Sequence, residues 1–143
     1  SNRYTRFSVK QIVVLKKLLK YLLKKYKIKK QNVLGHSDIA PDRKKDPGEK
    51  FPWKELARSK LSKWHNLDEK KLKKKRLKPL NFIEESKLMR NLSKIGYLKF
   101  SKKNLNLNKK ILLKAFQRHY RQDLINGISD QECLLISKNL LKS

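Results

Sequence analysis

The sequence predicts an α+β chain that is mostly helical as it stands: a helix, a short strand and a loop, followed by a small bundle of three helices. Three observations carry this expectation. Apolar residues recur at helical spacing in several separate segments, the mark of amphipathic helices. Asn32-Val33-Leu34-Gly35-His36 is a short apolar run that ends at a loop rich in Gly and Pro, as a strand end does. A lysine-dense stretch divides the chain, giving residues 1–62 as a first unit, 63–80 as a linker and 81–143 as a second unit.

The first helix is read from Ser8-Val9-Lys10-Gln11, which has the form of a capping box, and from Ile12, Leu15, Leu19, Leu22 and Tyr26 behind it. It spans about residues 8–27, with lysines on its wet face. A basic amphipathic helix can also lie on a membrane surface, an alternative to a helix that packs ahead of the strand at 32–36. That strand delivers His36 at its end. Pro52 in a first turn, followed by Trp53, Leu56 and Leu61, predicts a short closing helix. From Lys60 to Lys78 the sequence turns to charge, and like charges that repel one another predict a solvated connector. Beyond it, Ile83, Leu88, Leu92 and Ile95 form a stripe that stops at Gly96-Tyr97. Ile111, Leu112, Ala115 and Phe116 form a second stripe. After Asn126-Gly127, Ser129-Asp130-Gln131-Glu132 reads as a capping box that opens a third helix through Cys133, Leu134, Ile136 and Leu140. Three short helices can share one small core.

The chain has 143 residues, 38% of them hydrophobic, which is lean for one large core and suits two small units. Its formal charge of +27 predicts attraction to polyanions such as nucleic acid, an anionic membrane face or an anionic cell wall. The excess is almost all lysine, spread along the whole chain. Dedicated nucleic-acid readers concentrate arginine and stacking aromatics, and neither is concentrated here, which argues against a nucleic-acid partner. The single cysteine, Cys133, excludes an intramolecular disulfide and falls in an apolar helical pattern, where it reads as a small buried hydrophobe. No apolar run approaches the roughly 20 residues that span a bilayer. No leader segment is visible, and if the chain is the remainder of a longer enzyme that absence means little.

The chemistry gathers in Gly35-His36-Ser37-Asp38-Ile39-Ala40-Pro41-Asp42-Arg43-Lys44-Lys45-Asp46-Pro47-Gly48, with Phe51-Pro52-Trp53 just after. A neutral imidazole and a carboxylate are both good zinc ligands, so His36 and Asp46 have the chemistry of half a metal site. Lys44, two residues before Asp46, is placed to stabilise negative charge on a carbonyl oxygen under attack. Spacing alone leaves a second reading open, a surface turn made by Asp46-Pro47-Gly48 with His36 as an ordinary strand-end residue.

The whole string resembles the signature of the zinc-dependent N-acetylmuramoyl-L-alanine amidases, which cut the stem peptide from the sugar of bacterial peptidoglycan. That pattern is Gly-His-x-Asp-Ile-Ala-Pro-x-Arg-Lys-x-Asp-Pro-Gly-x-x-Phe-x-Trp, and this chain matches it without a gap. The resemblance implies a zinc held by His36 and Asp46 and an oxyanion stabilised by Lys44. Asp38, Arg43, Phe51 and Trp53 match as well, as residues that build the loop. The family's first histidine ligand and its catalytic glutamate lie upstream of the motif, whereas residues 1–35 here contain no His, Asp or Glu. His65 and His119 are poor substitutes. The expectation is therefore the carboxy-terminal part of the amidase domain, with little activity alone; the alternatives are a non-catalytic wall-binding remnant and, on charge alone, a basic nucleic-acid-binding protein. A separate chain carrying the other half would be the partner that completes it. Gly96-Tyr97, Ala115-Phe116-Gln117 and Asn126-Gly127 are similar to a three-helix peptidoglycan-binding domain, which implies peptidoglycan or muropeptides as ligands and a bacterial cell envelope location.

Overall fold

Ser8 does cap the first helix. In the computed structural model, which describes residues 4–97 and 105–142, its side chain accepts from the Gln11 amide while Gln11 reaches back to the Ser8 amide. The reciprocal bonds satisfy two donors that a helix start leaves open. Helix α1 runs Val9–Lys25, followed by one 3₁₀ turn at Lys30–Asn32 and the one-turn helix α2 at His36–Ile39. Then come α3 (Trp53–Arg58), α4 (Glu69–Lys73), α5 (Phe82–Ile95), α6 (Leu105–Tyr120) and α7 (Gln131–Lys142).

The described residues are all helical and contain no strand, which corrects the α+β expectation. The backbone at Val33 and Gly35 is extended, as the apolar run suggested. An extended segment becomes a strand only by pairing, and no paired strand is present among the described residues. His36 consequently opens a helical turn instead of closing a strand.

Two apolar clusters organise the chain. The larger joins α5, α6 and α7 through Leu88, Leu92, Leu112, Phe116, Leu134, Ile136 and Leu140, with Cys133 fully buried among them. Burial pushes the Cys133 thiol up to about 12, as a small core hydrophobe requires. The smaller cluster is Trp53, Leu56 and Leu61, against which α1 lays Leu15, Leu19 and Leu23. Trp64 packs on both clusters. The opposite side of α1 leaves Val14, Leu18 and Tyr21 exposed.

Residues 63–80 do more than carry lysines. Leu72 of α4 is buried in the larger cluster, with Trp64 and Leu67 packed beside it. Arg76 forks onto two carboxylates, donating to Glu132 at 2.6 and 3.0 Å and to Asp123 at 2.9 and 3.0 Å. The Leu77 amide donates to Asp130 at 3.1 Å.

The caps differ from the sequence reading in detail. Asn81 and Glu84 form a capping box that starts α5 one turn ahead of the apolar stripe. Ile83, counted in that stripe, is 73% exposed because it lies in this first turn. Gly96 ends α5 at φ 129°, a backbone angle that favours glycine. Pro52 is the residue before α3, not a member of its first turn. At α7, Asp130 accepts from the Cys133 amide at 2.9 Å, while Ser129 donates to Glu85 at 2.7 Å. Asp130 is the cap because its carboxylate is also the buried partner of Arg121.

Candidate metal and oxyanion loop

The loop from Gly35 to Gly48 is pinned at its base. The Ser37 amide donates to the Asp46 carbonyl at 2.9 Å, which brings the two ends of the motif together. Gly35 sits where the strands of the loop cross: a Cβ there would lie 2.4 Å from Pro47 Cδ and 3.3 Å from the Asp46 carbonyl oxygen. No side chain fits such a gap. Gly35→Ala is therefore expected to spread the loop and destabilise the fold by roughly 1–3 kcal/mol, the range of an overpacked site, read as a lowered thermal midpoint.

That crossing places the His36 and Asp46 side chains against each other, Nδ1 of the imidazole meeting Oδ2 of the carboxylate. Both are well exposed to solvent, 69% and 55%. The His36 bond is the main reason the Asp46 carboxyl lies below its ordinary value, with a smaller contribution from Lys44. Lys44 is exposed, and its amide donates to the Ala40 carbonyl at 2.9 Å. Its ammonium is thus carried on the same turn as the pair.

The donor set fits zinc in kind, an imidazole nitrogen and a carboxylate oxygen side by side. It is short in number. Among the described residues no group of three His, Cys, Asp or Glu side chains could hold a metal ion. His65 and His119 lie elsewhere. His65 is buried beside Trp64. His119 is buried in α6, stacked between Trp53 at 3.9 Å and Tyr120 at 4.1 Å.

His119 instead meets Asp38, its Nδ1 lying 2.8 Å from Oδ2. Asp38 also accepts from the Tyr97 hydroxyl at 2.6 Å and the Gly35 amide at 2.9 Å. Burial pushes the Asp38 carboxyl up, but the bonds from His119, Tyr97 and Gly35 outweigh it and hold the group below its ordinary value. Next to it, Arg118 donates to the Ser37 hydroxyl at 2.7 Å. Tyr97, Arg118 and His119 were not singled out by the sequence for this role, because partners 59 and 81 residues apart leave no local pattern.

Sequence comparison relates this loop to one class of proteins. Residues 1–49 match the family model described as N-acetylmuramoyl-L-alanine amidase. Among individual relatives, N-acetylmuramoyl-L-alanine amidase AmiD of Escherichia coli (strain K12) is 32% identical over 139 residues, 97% of this chain and 50% of that protein. The 1,6-anhydro-N-acetylmuramyl-L-alanine amidase AmpD of Haemophilus influenzae is 44% identical over 48 residues, 33% of this chain and 26% of that protein. The solved structure of E. coli AmiD with the substrate anhydro-N-acetylmuramic acid-L-Ala-D-gamma-Glu-L-Lys superposes with a TM-score of 0.83 at 33% identity. It is matched over 97% of this chain and 54% of its own. AmpDh3 of Pseudomonas aeruginosa gives 0.79 at 32% identity, over 97% and 55%. The chain thus spans about half the length of AmiD, and its likeness to AmiD and AmpDh3 covers nearly all of it.

Proposed function

We propose that this chain is the part of a zinc-dependent peptidoglycan amidase that carries two metal ligands, His36 and Asp46, and the oxyanion group, Lys44. The observation that carries the reading is the meeting of His36 and Asp46 on one exposed loop, inside the segment that matches the amidase family. The bond cut is the amide between the lactyl group of N-acetylmuramic acid and L-alanine. Muropeptide-bound structures of AmiD and AmpDh3 support peptidoglycan fragments as the substrate class, and with it a place in the bacterial cell envelope.

Zinc, when bound, supplies Lewis acidity toward a water and the scissile carbonyl. The chain's own residues supply the rest of this half of the site. His36 would present an imidazole nitrogen and Asp46 a carboxylate oxygen, the Asp46 carboxyl lying below its ordinary value through its bond to His36. Lys44 donates to the carbonyl oxygen as negative charge builds there, so its contribution is largest in the transition state. Residues 81–143 hold the enzyme to its insoluble substrate, a role supported by the excess of lysine and by the likeness to AmiD across that unit. No helix among the described residues is long and apolar enough to cross a membrane.

With two donors in place, the purified 143-residue chain is expected to bind sacculi yet release no stem peptides from them. Sacculus pull-down at about 1 M salt, where screening shortens to about 3 Å, isolates shape-specific binding from lysine attraction. Zinc-dependent release abolished by His36→Ala would contradict the half-site reading. Binding that vanishes at high salt and equals binding to DNA at low salt would contradict wall recognition.

A further inference from the structure

The contacts between α2 and α6 cross between the two units and end beside the candidate metal ligand. Ser37 and Asp38 directly follow His36, and both are buried under the second unit. Arg118 donates to the Ser37 hydroxyl at 2.7 Å, while His119 and Tyr97 bond the two oxygens of the Asp38 carboxylate at 2.8 and 2.6 Å. The His119 ring meets Asp38 through its Nδ1. Its other nitrogen, Nε2, is buried with no partner among the described residues. A buried polar atom left unpaired costs free energy, so the ring is kept there for the bond its other side makes. The aromatic stack of Trp53, His119 and Tyr120 fixes the ring plane, and Gln122 adds a bond to the Phe51 carbonyl at 2.9 Å. The same Ser37 that Arg118 holds donates its amide to the Asp46 carbonyl.

We propose that Tyr97, Arg118 and His119 are positioning residues for the metal loop, so that the second unit is part of the scaffold of the site as well as a wall-binding module. The chain of contacts runs from α6 through Ser37 and Asp38 to His36 on one side and Asp46 on the other. Groups that orient a ligand from behind it typically change metal affinity 10–100-fold when removed. This inference rests on the amidase reading for the identity of the ligands, and on geometry alone for the clamp.

The test uses the full chain and two readouts: hydrogen exchange at the Ser37 amide, which needs no metal, and zinc affinity followed at the His36 ring by NMR. His119→Leu removes the donor and keeps an apolar side chain, His119→Asn returns an N–H to the same side, and Tyr97→Phe removes one hydroxyl. Helical circular dichroism and the thermal midpoint report global folding for each. His119→Leu is expected to speed Ser37 exchange about tenfold or more and weaken zinc by about tenfold, with His119→Asn restoring most of both. Tyr97→Phe should move both in the same direction by less, and it carries the test if His119→Leu fails to fold. Unchanged Ser37 exchange in folded His119→Leu and Tyr97→Phe overturns the proposal. If wild type binds no zinc at His36, the assignment of His36 and Asp46 as the metal pair fails, while Ser37 exchange still decides the clamp.

Discussion

Arg121→Met is expected to lower stability by about 3–5 kcal/mol at pH 7 and by much less near pH 3, because it strips the partner from buried carboxylates. Arg121 and Asp130 are each 1% exposed in their side chains and bond at 2.5 Å, with Glu132 of Arg121's shell at 3.3 Å. The guanidinium also donates to the Leu124 carbonyl at 3.0 Å and to Asn126 at 3.1 Å, which ties the 121–130 loop closed. Burial pushes the Asp130 carboxyl up, but the Cys133 amide, Arg121 and the Leu77 amide outweigh it and hold it below the ordinary 3.8. A carboxyl whose folded value is depressed stabilises the fold above the unfolded value and loses that contribution as pH falls through the folded one. In the variant, burial goes unopposed by the guanidinium, and protonation then relieves an unpaired buried charge. The gap between wild type and variant should therefore narrow as pH falls below 3.8. Thermal or urea unfolding at pH 7 and pH 3 measures it, and a pH-independent gap would show that Arg121 acts by packing alone.

Phe116→Ala has a comparable expected cost, about 3–5 kcal/mol, from lost burial plus the cavity left behind. Phe116 is fully buried at the centre of the larger cluster, edge-on to Tyr97 at 6.1 Å and tilted against Tyr120 at 5.2 Å between ring centroids. Its removal loosens both neighbours. Tyr97 and Tyr120 are also the groups that bond or stack on the Asp38 and His119 pair, so loss of core packing reaches the loop. A fall in thermal midpoint on the order of 10 °C is expected for a chain of this size. A shift under a few degrees would mean that the core closes over the gap.

The helices were legible wherever apolar periodicity met a capping signal. Ser8 with Gln11 and the glycine at 96 marked real ends, and the buried Cys133 followed from its place in a stripe. The strand expected at 32–36 is absent, because Val33 and Leu34 carry strand propensity while strand formation depends on a neighbour that lies outside their own sequence. Tertiary partners moved caps in the same way: Ser129 looks like a helix cap, but its hydroxyl goes to Glu85 and Asp130 takes the cap. In the site, His36, Lys44 and Asp46 came from one contiguous motif and the structure places them on one loop. Arg118 and His119 were invisible as partners of that loop, since their contacts are made through space from another helix and carry no periodicity of their own.

The most direct test of the half-site is an NMR titration of the full chain with zinc, following its three histidine rings. The account predicts that the His36 ring shifts first, together with the Asp46 backbone, and that His36→Ala or Asp46→Ala each removes the response while Lys44→Ala leaves it intact. Binding is expected to be weak, since two protein donors are fewer than the three or four that zinc sites usually use. A titration in which His65 or His119 responds while His36 does not, or in which His36→Ala leaves zinc binding unchanged, would contradict the assignment of His36 and Asp46 as the metal pair.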